Sequence, residues 1–354
     1  MKKIIIAAVF SILLCGCQNV QDIDRLNFVL AAGIDKGEEK SIALTAGCAF
    51  PDPSGASVEA AVFKGEGDTL PSAMENTGKN DSRQIYYGHV KAILLSREFL
   101  EDNTLILDFI DTIERESNIS LKTAILYTDV KAGDIIKNIS ESGKDSSLYI
   151  WDYYKTNDST GTSAIKTDFE EFTRHLRTNG CALIPKIDFD GENIVIAGGA
   201  IIKDGIFLCE VSKEELEGYF IALEEAEGKI AECDIDGEKA AVKIENLKCD
   251  IDFYEENNEL YCLFNQKAEG YVMQMPQKSD IENVSKILSS KLDKEILDTF
   301  KIFGEKNSDV FGITDELRKD NFYLYEKYGE EKAFENMNFK SICDFKILGG
   351  GLKK

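Results

Sequence analysis

Hydrophobic and polar positions along this chain follow two periods in separate places. Behind Lys2 and Lys3 an apolar run extends from Ile4 to Leu14, and no later apolar stretch is long enough to span a bilayer. Leu26 to Phe50 reads as two strands around the polar turn Asp35 to Lys40. Gly55 to Gly67 predicts a further extended piece, Thr69 to Asn76 a short helix, and Tyr86 to Leu95 an apolar strand carrying His89. Helical spacing covers Thr104 to Glu116 and Val130 to Ser140, with a strand from Ile119 to Tyr127 between them. Asp145 to Ser163 fits neither period. It is polar and Ser/Thr-rich but holds Tyr149, Trp151, Tyr153 and Tyr154, and reads as a loop or an exposed aromatic contact surface. Thr167 and Glu170 form a T-x-x-E capping box, opening a helix that ends near Asn179-Gly180.

The second half is built differently. Strands are predicted at Cys181 to Phe189, Asn193 to Lys203 and Ile206 to Val211, separated by Asp190-Gly191 and Asp204-Gly205 turns. Ser212-x-x-Glu215 caps a helix through about Glu227. Strands at Lys229 to Cys233, Lys239 to Tyr254 and Glu259 to Met275 follow, the last two as a long hairpin turning at Asn257-Asn258. Ser279 to Gly304 carries the clearest helical stripe: Ile281, Val284, Ile287, Leu288, Leu292, Ile296, Leu297 and Phe300. A shorter helix near Val310 to Lys319, an aromatic stretch from Phe322 to Tyr328, a closing strand from Phe339 to Leu348 and a Gly349-Gly350-Gly351 tail read as disordered complete the chain. Runs of strands with helices in separate places predict an α+β fold of several domains, with mainly antiparallel or mixed sheets and flanking helices. The divisions are a leader at 1–16, a lipidated link at 17–25, an amino-terminal α+β domain at 26–188 and a carboxy-terminal α+β region at 189–354, the last with an optional subdivision near 230–238.

The opening segment changes the picture most. Two lysines followed by an apolar core too short to cross a membrane as a helix are the pattern of an export signal. Leu14-Cys15-Gly16-Cys17 resembles a lipobox, in which a small residue precedes the cysteine that receives a diacylglyceryl group. Gly16 before Cys17 suits that processing; Leu14 before Cys15 is too bulky. Cys17 is the expected lipidated first residue of the mature protein, and two acyl chains make a stable anchor where one is marginal. The first predicted strand begins within about 30 Å of that cysteine, because each residue reaches at most about 3.6 Å.

The formal charge of −23 becomes about −25 once Lys2 and Lys3 leave with the leader, a surface that repels nucleic acid and anionic headgroups. Seven cysteines follow Cys17, an odd number without a C-x-x-C, which is a poor disulfide framework and a poor metal site. Cys249 and Cys262 flank the long hairpin, but its turn sets position 249 opposite 266.

Little in the chain suggests reaction chemistry. There are two histidines: His89 at the mouth of an apolar strand, where a loop would hold its ring, and His175 beside Arg174 on a charged helix, expected to face water. Neither zinc ligation nor a Ser/His/Asp arrangement has the residues it needs, and no phosphate-binding glycine loop or nucleophile elbow occurs. Asp234 and Asp236 before Gly237 read as a solvated turn, not a calcium loop. No catalytic residue, cofactor or metal site is expected.

Several segments in one order carry a resemblance. They are Cys17, the stretch Leu26-Asn27-Phe28-Val29-Leu30-Ala31-Ala32-Gly33-Ile34-Asp35-Lys36, a strand ending in Pro51, Gly65-Glu66-Gly67-x-Thr69, and Tyr87-Gly88-His89-Val90-Lys91. In the second half they are Gly199-Ala200-Ile201-Ile202-Lys203-Asp204, Glu217-Gly218-Tyr219 and Asp309-Val310-Phe311-Gly312. Together they resemble the spore germination lipoproteins called Ger(x)C, the C subunits of nutrient germinant receptors. The chain departs from that family in having Trp151 as its single tryptophan, with none near the last strand. The resemblance implies a non-catalytic, lipid-anchored subunit on the outer face of the spore's inner membrane, with membrane-embedded A and B subunits as partners and several α+β domains. A solute-binding lipoprotein of a transporter shares the anchor and size but requires repeated βα units. A lipid-anchored hydrolase lacks the histidines.

Overall fold

A computed structural model of the chain describes residues 25–51, 58–79, 81–141, 149–150, 165–189, 193–276, 280–329 and 332–350. Its first strand, β1 (Leu26–Lys36), is almost continuously buried and therefore needs neighbours on both edges and cover on both faces. β2 (Ile42–Pro51) and β3 (Val58–Gly67) add antiparallel on one side. On the other edge, β4 (Gln84–Tyr86) pairs parallel with Leu26 to Phe28, and β5 (Ala92–Ser96) pairs parallel with Ala31 to Ile34. The predicted strand from Tyr86 to Leu95 is thus two strands on one partner. Residues 87–91 absorb the change of register between them, with Lys91 N donating to Leu30 O at 2.7 Å.

β6 (Ala124–Thr128) extends the parallel run, followed by β7 (Cys181–Phe189), β8 (Ile194–Lys203) and β9 (Ile206–Val211). The result is a nine-stranded mixed sheet of order β3-β2-β1-β5-β6-β7-β8-β9, with β4 beside β1. One face carries α1 (Leu70–Asn76), α2 (Arg97–Leu100), α3 (Asn103–Arg115) and α5 (Phe169–Asn179). The opposite face carries α4 (Ala132–Glu141) with Ile150.

The seam between β6 and β7 is narrow, a single register pair, Tyr127 opposite Lys186. Two other devices close it. Residues 165–168 wedge alongside β6, where Ile125 N donates to Thr167 O, and the Thr167 hydroxyl donates to Leu183 O at 2.8 Å. Further along, the Tyr127 hydroxyl donates to Glu210 Oε1 at 2.7 Å, while Lys186 Nζ meets Glu210 Oε2 and Asp129 Oδ2, each at 2.9 Å. Thr167 is therefore not the expected cap of α5. Asp168 takes that place, accepting from Glu171 N at 2.8 Å, because the Thr167 hydroxyl is already used across the seam.

The second sheet has the order β10 (Ile230–Ile235), β11 (Glu238–Glu256), β12 (Glu259–Gln274), β13 (Met337–Gly350). Asn257 and Asn258 sit at φ +54 and +64, so a tight two-residue turn joins β11 to β12 and sets Cys249 opposite Gln266, as the spacing requires. β13 pairs parallel with β12, and Gly349 and Gly350 lie opposite Tyr271 and Val272, inside the strand; Gly351 falls outside the described residues. α7 (Ile281–Glu305) lies on this sheet with Val284, Leu288, Leu292, Ile296 and Phe300 buried, while the first residue of its stripe, Ile281, is exposed. α8 (Ile313–Asp320) and α9 (Phe322–Tyr328) follow, the latter formed from the aromatic stretch and capped by Asn321.

The Ser212/Glu215 capping box forms, but it opens one 3₁₀ turn and the short α6 (Glu217–Ala222). That helix ends well before Glu227: Glu224 takes φ +61, and Gly228 N donates to Ile244 O, drawing the chain into the second sheet. The predicted strand from Ile119 shortens for a related reason. Residues before Ala124 form turns that tuck Ile119 into the core. Fold class follows the hydrophobic pattern: α+β, with mixed sheets and flanking helices.

β7 from Cys181 to Ile184 and β8 from Ala200 to Ile202 are covered on both faces, whereas the edge strand β9 leaves Ile206 and Leu208 exposed. Ala182, Ile184, Ala200 and Ile202 pack into the core under α3 and α5, whereas Cys181, Leu183, Ile201 and Val211 pack into the core built from α6, α7 and the second sheet. Adjacent residues of β7 thus report on different cores. Leu183→Ala and Ile184→Ala are each expected to cost about 2–5 kcal/mol, and to shift one common unfolding transition in urea followed by circular dichroism and tyrosine fluorescence. Ile342→Ala, on the exposed face of β13, should change stability by less than about 0.5 kcal/mol.

Candidate functional site

Cys17, the expected lipid acceptor, lies outside the described residues, as do Trp151, Tyr153 and Tyr154. The other segments behind the family resemblance can be followed one by one, and most prove to be junctions between elements.

Asp35 closes β1. It is buried, and its carboxylate accepts from the first amides of α4, Ala132 N at 2.7 Å and Gly133 N at 2.9 Å. Burial raises its pKa above the ordinary carboxylate value, and the two amide bonds oppose that shift. The approach is close enough to require Gly33, where a Cβ would stand 2.7 Å from Ala132 C. A charged groove of about 230 Å³ opens beside this junction, lined by Lys36, Glu38, Lys64, Glu66, Lys131 and Asp134.

Asp309 does the corresponding work in the second half. Its carboxylate receives Gly312 N at 2.9 Å, Ile313 N at 2.7 Å and Thr314 N at 2.7 Å, fixing the start of α8. Burial again raises its pKa, against the opposing hydrogen bonds from these amides and the Thr314 side chain. Gly218 marks the crossing of α6 over α7: a Cβ there would lie 2.3 Å from Glu295 O, and its amide donates to Thr299 Oγ1 at 3.0 Å. The neighbouring Tyr219 ring meets Phe220, Phe303 and Phe311 edge-on.

The histidines divide. His89 is exposed, and its ring lies 5.1 Å from that of Phe28 and 5.7 Å from that of Tyr86. His175 does not face water as its charged helix suggested. It is half-buried, and burial first, with the Arg174 charge second, pushes its pKa down to about 4. Asp234 and Asp236 form the solvated β10–β11 turn, with Gly237 N donating to Asp234 Oδ1 at 2.9 Å. Among the described residues no group of three His, Cys, Asp or Glu side chains is placed to hold a metal ion, and no helix is long and apolar enough to cross a membrane. All seven cysteines there are free, and burial pushes Cys48, Cys181, Cys249 and Cys343 up to about 12.

What the arrangement supplies is a set of close-packed junctions between elements, at Gly33, Asp35, Gly218 and Asp309. Sequence comparison assigns the chain a class. Residues 19–189 match the model of the spore germination protein N-terminal domain, and residues 197–351 match that of the spore germination B3/GerAC-like C-terminal domain. The chain belongs to the Ger(x)C family of germinant receptor C subunits. Spore germination protein GerQC of Bacillus cereus is 20% identical over 362 residues, covering 99% of both chains. Spore germination protein A3 of Bacillus subtilis (strain 168) is 22% identical over 246 residues, covering 66% of this chain and 64% of that one. The crystal structure of the GerBC protein shares the fold, with a TM-score of 0.61 at 16% identity over 92% of this chain and 100% of that one.

Two measurements check these junctions. Asp35→Ala leaves two helix amides without their acceptor and should cost about 1–3 kcal/mol in urea unfolding. For His175, a folded pKa depressed below the unfolded value means that its stabilising contribution is complete above about pH 6.5 and is lost as pH falls through about 4. Ring NMR of a His89→Asn variant should show His175 neutral at pH 5.5, and His175→Gln should flatten the stability profile between those limits.

Proposed function

We propose that this chain is a lipid-anchored, non-catalytic subunit of a spore nutrient germinant receptor, held by Cys17 at the outer face of the spore's inner membrane beside membrane-embedded A and B subunits. The observation that carries the reading is the ordered match of both halves to spore germination domains, with GerQC aligned over nearly the whole of each chain. The Leu14-Cys15-Gly16-Cys17 segment supports the anchor. That residues in the segments carrying the family resemblance are structural junctions supports a scaffold in preference to a catalyst, since the Asp35 and Asp309 carboxylates accept from backbone amides.

The physical role follows from tethering. Confining a folded body to a layer a few nanometres deep raises its effective concentration near membrane partners by orders of magnitude, without any contact having to be strong alone. The anionic surface works in the opposite sense, so attachment depends on the acyl chains.

Cys17→Ala should move the protein from the membrane to the soluble fraction of disrupted spores and slow nutrient-triggered germination, with mass spectrometry of the mature amino terminus reading the lipid directly. A variant that stays fully membrane-bound would sink the anchor assignment. Crosslinking in spore membranes should capture the A and B subunits; calorimetry showing tight binding of an amino acid or sugar by the isolated soluble chain would favour a solute-binding role.

A further inference from the structure

One end of the nine-stranded sheet differs from the rest of this acidic molecule. β1 starts there at Leu26, β2 ends there at Pro51 opposite Val58 of β3, and residues 84–91 pass along it before β5 begins. On one face of these strand ends, Phe28, Tyr86 and His89 form a single ring cluster, with centroids 5.9, 5.1 and 5.7 Å apart. His89 is exposed, and Phe28 and Tyr86 are half-buried. Elsewhere on this end the Arg83 guanidinium lies 4.5 Å from the centroid of the Phe50 ring, and Arg25 and Lys91 are exposed. An acidic neighbour, Asp81, accepts from Asn27 Nδ2 at 3.2 Å and from Arg83 N at 2.8 Å. The opposite end of the same strands is plain and polar, with Glu38, Glu39 and Lys40 exposed in the turn from β1 to β2.

We infer that this rim rests on the lipid headgroup layer, with β1 and β2 standing toward the membrane normal. The inference deepens the anchored reading above and rests on attachment at residue 17. The chain itself selects the occupant: Arg25, at the foot of β1, is eight residues from Cys17, a span that cannot exceed about 30 Å. The surface nearest the attachment point is therefore the one the bilayer meets first. Its side chains suit that layer, because Tyr, His and Arg pair an apolar body with a polar tip and settle where hydrocarbon gives way to water. Cation–ring pairing of the Arg83/Phe50 kind also lets a positive group approach lipid phosphate without leaving apolar cover.

The orientation can be read independently of the native lipid. The full mature chain, with Cys17 replaced by a hexahistidine tag, is tethered to phosphatidylcholine vesicles containing a nickel-chelating lipid, and amide hydrogen exchange is compared on and off the vesicles. Amides of residues 26–28 and 84–91 should exchange severalfold more slowly on the vesicles, while Gly37–Ser41 is unchanged. His89→Ser, at an exposed position, should weaken that protection, and Tyr86→Ser combined with it should abolish it; an unaltered exchange pattern in solution verifies that each variant is folded. Equal exchange of residues 84–91 on and off vesicles, or protection centred on Gly37–Ser41, overturns the inference, as does protection that arises with membrane protein partners but not with lipid. Mass spectrometry of the native amino terminus decides the anchor separately.

Discussion

The rest of this molecule depends on a sheet that has no outside where β7 passes beside the end of β8. A strand covered on one face alternates buried and exposed residues, but Cys181 to Pro185 are buried without a break. Ala182, Ile184, Ala200 and Ile202 serve the core under α3 and α5, and Cys181, Leu183 and Ile201 the core of the second sheet. Because side chains alternate at each residue, a slip of one position would exchange the two sets and spoil both cores together, so register here is specified twice over. The two family-matched segments meet at this stretch and share the nine-stranded sheet, since β9 and most of β8 come from the second segment, which also builds the four-stranded sheet.

The narrow β6–β7 seam shows how such a body tolerates a weak joint. With a single backbone register pair between those strands, cohesion passes to Thr167, Tyr127, Glu210, Lys186 and Asp129. The Thr167 and Tyr127 bonds are shielded from solvent, the second in part, so they hold geometry better than exposed ion pairs do. Glycines 33 and 218 have a comparable purpose at the helix crossings, where backbones approach too closely for any side chain.

Much of this was legible in the sequence because it rests on local physics. The long hairpin, its Asn257-Asn258 turn, the α7 stripe and the Ser212/Glu215 box all depend on residues within a few positions of one another. What escaped depends on distant partners. Nothing near Thr167 reveals that Leu183 O claims its hydroxyl, nothing near Tyr86 reveals that β1 holds two successive partners, and the charged neighbours of His175 conceal the packing that dries its ring. Asp35 and Asp309 were visible as parts of recurring segments, yet their capping of helices nearly a hundred residues away and three residues ahead, respectively, is a property of the fold.

The free thiols have a bearing on durability. A sulfhydryl whose pKa stands near 12 is ionised to roughly one part in 10⁵ at neutrality, and the thiolate is the form that oxidants and electrophiles attack. Cys48, Cys181, Cys249 and Cys343 are therefore slow to age. The same packing that builds the two cores thus also keeps these sulfurs in their unreactive thiol form.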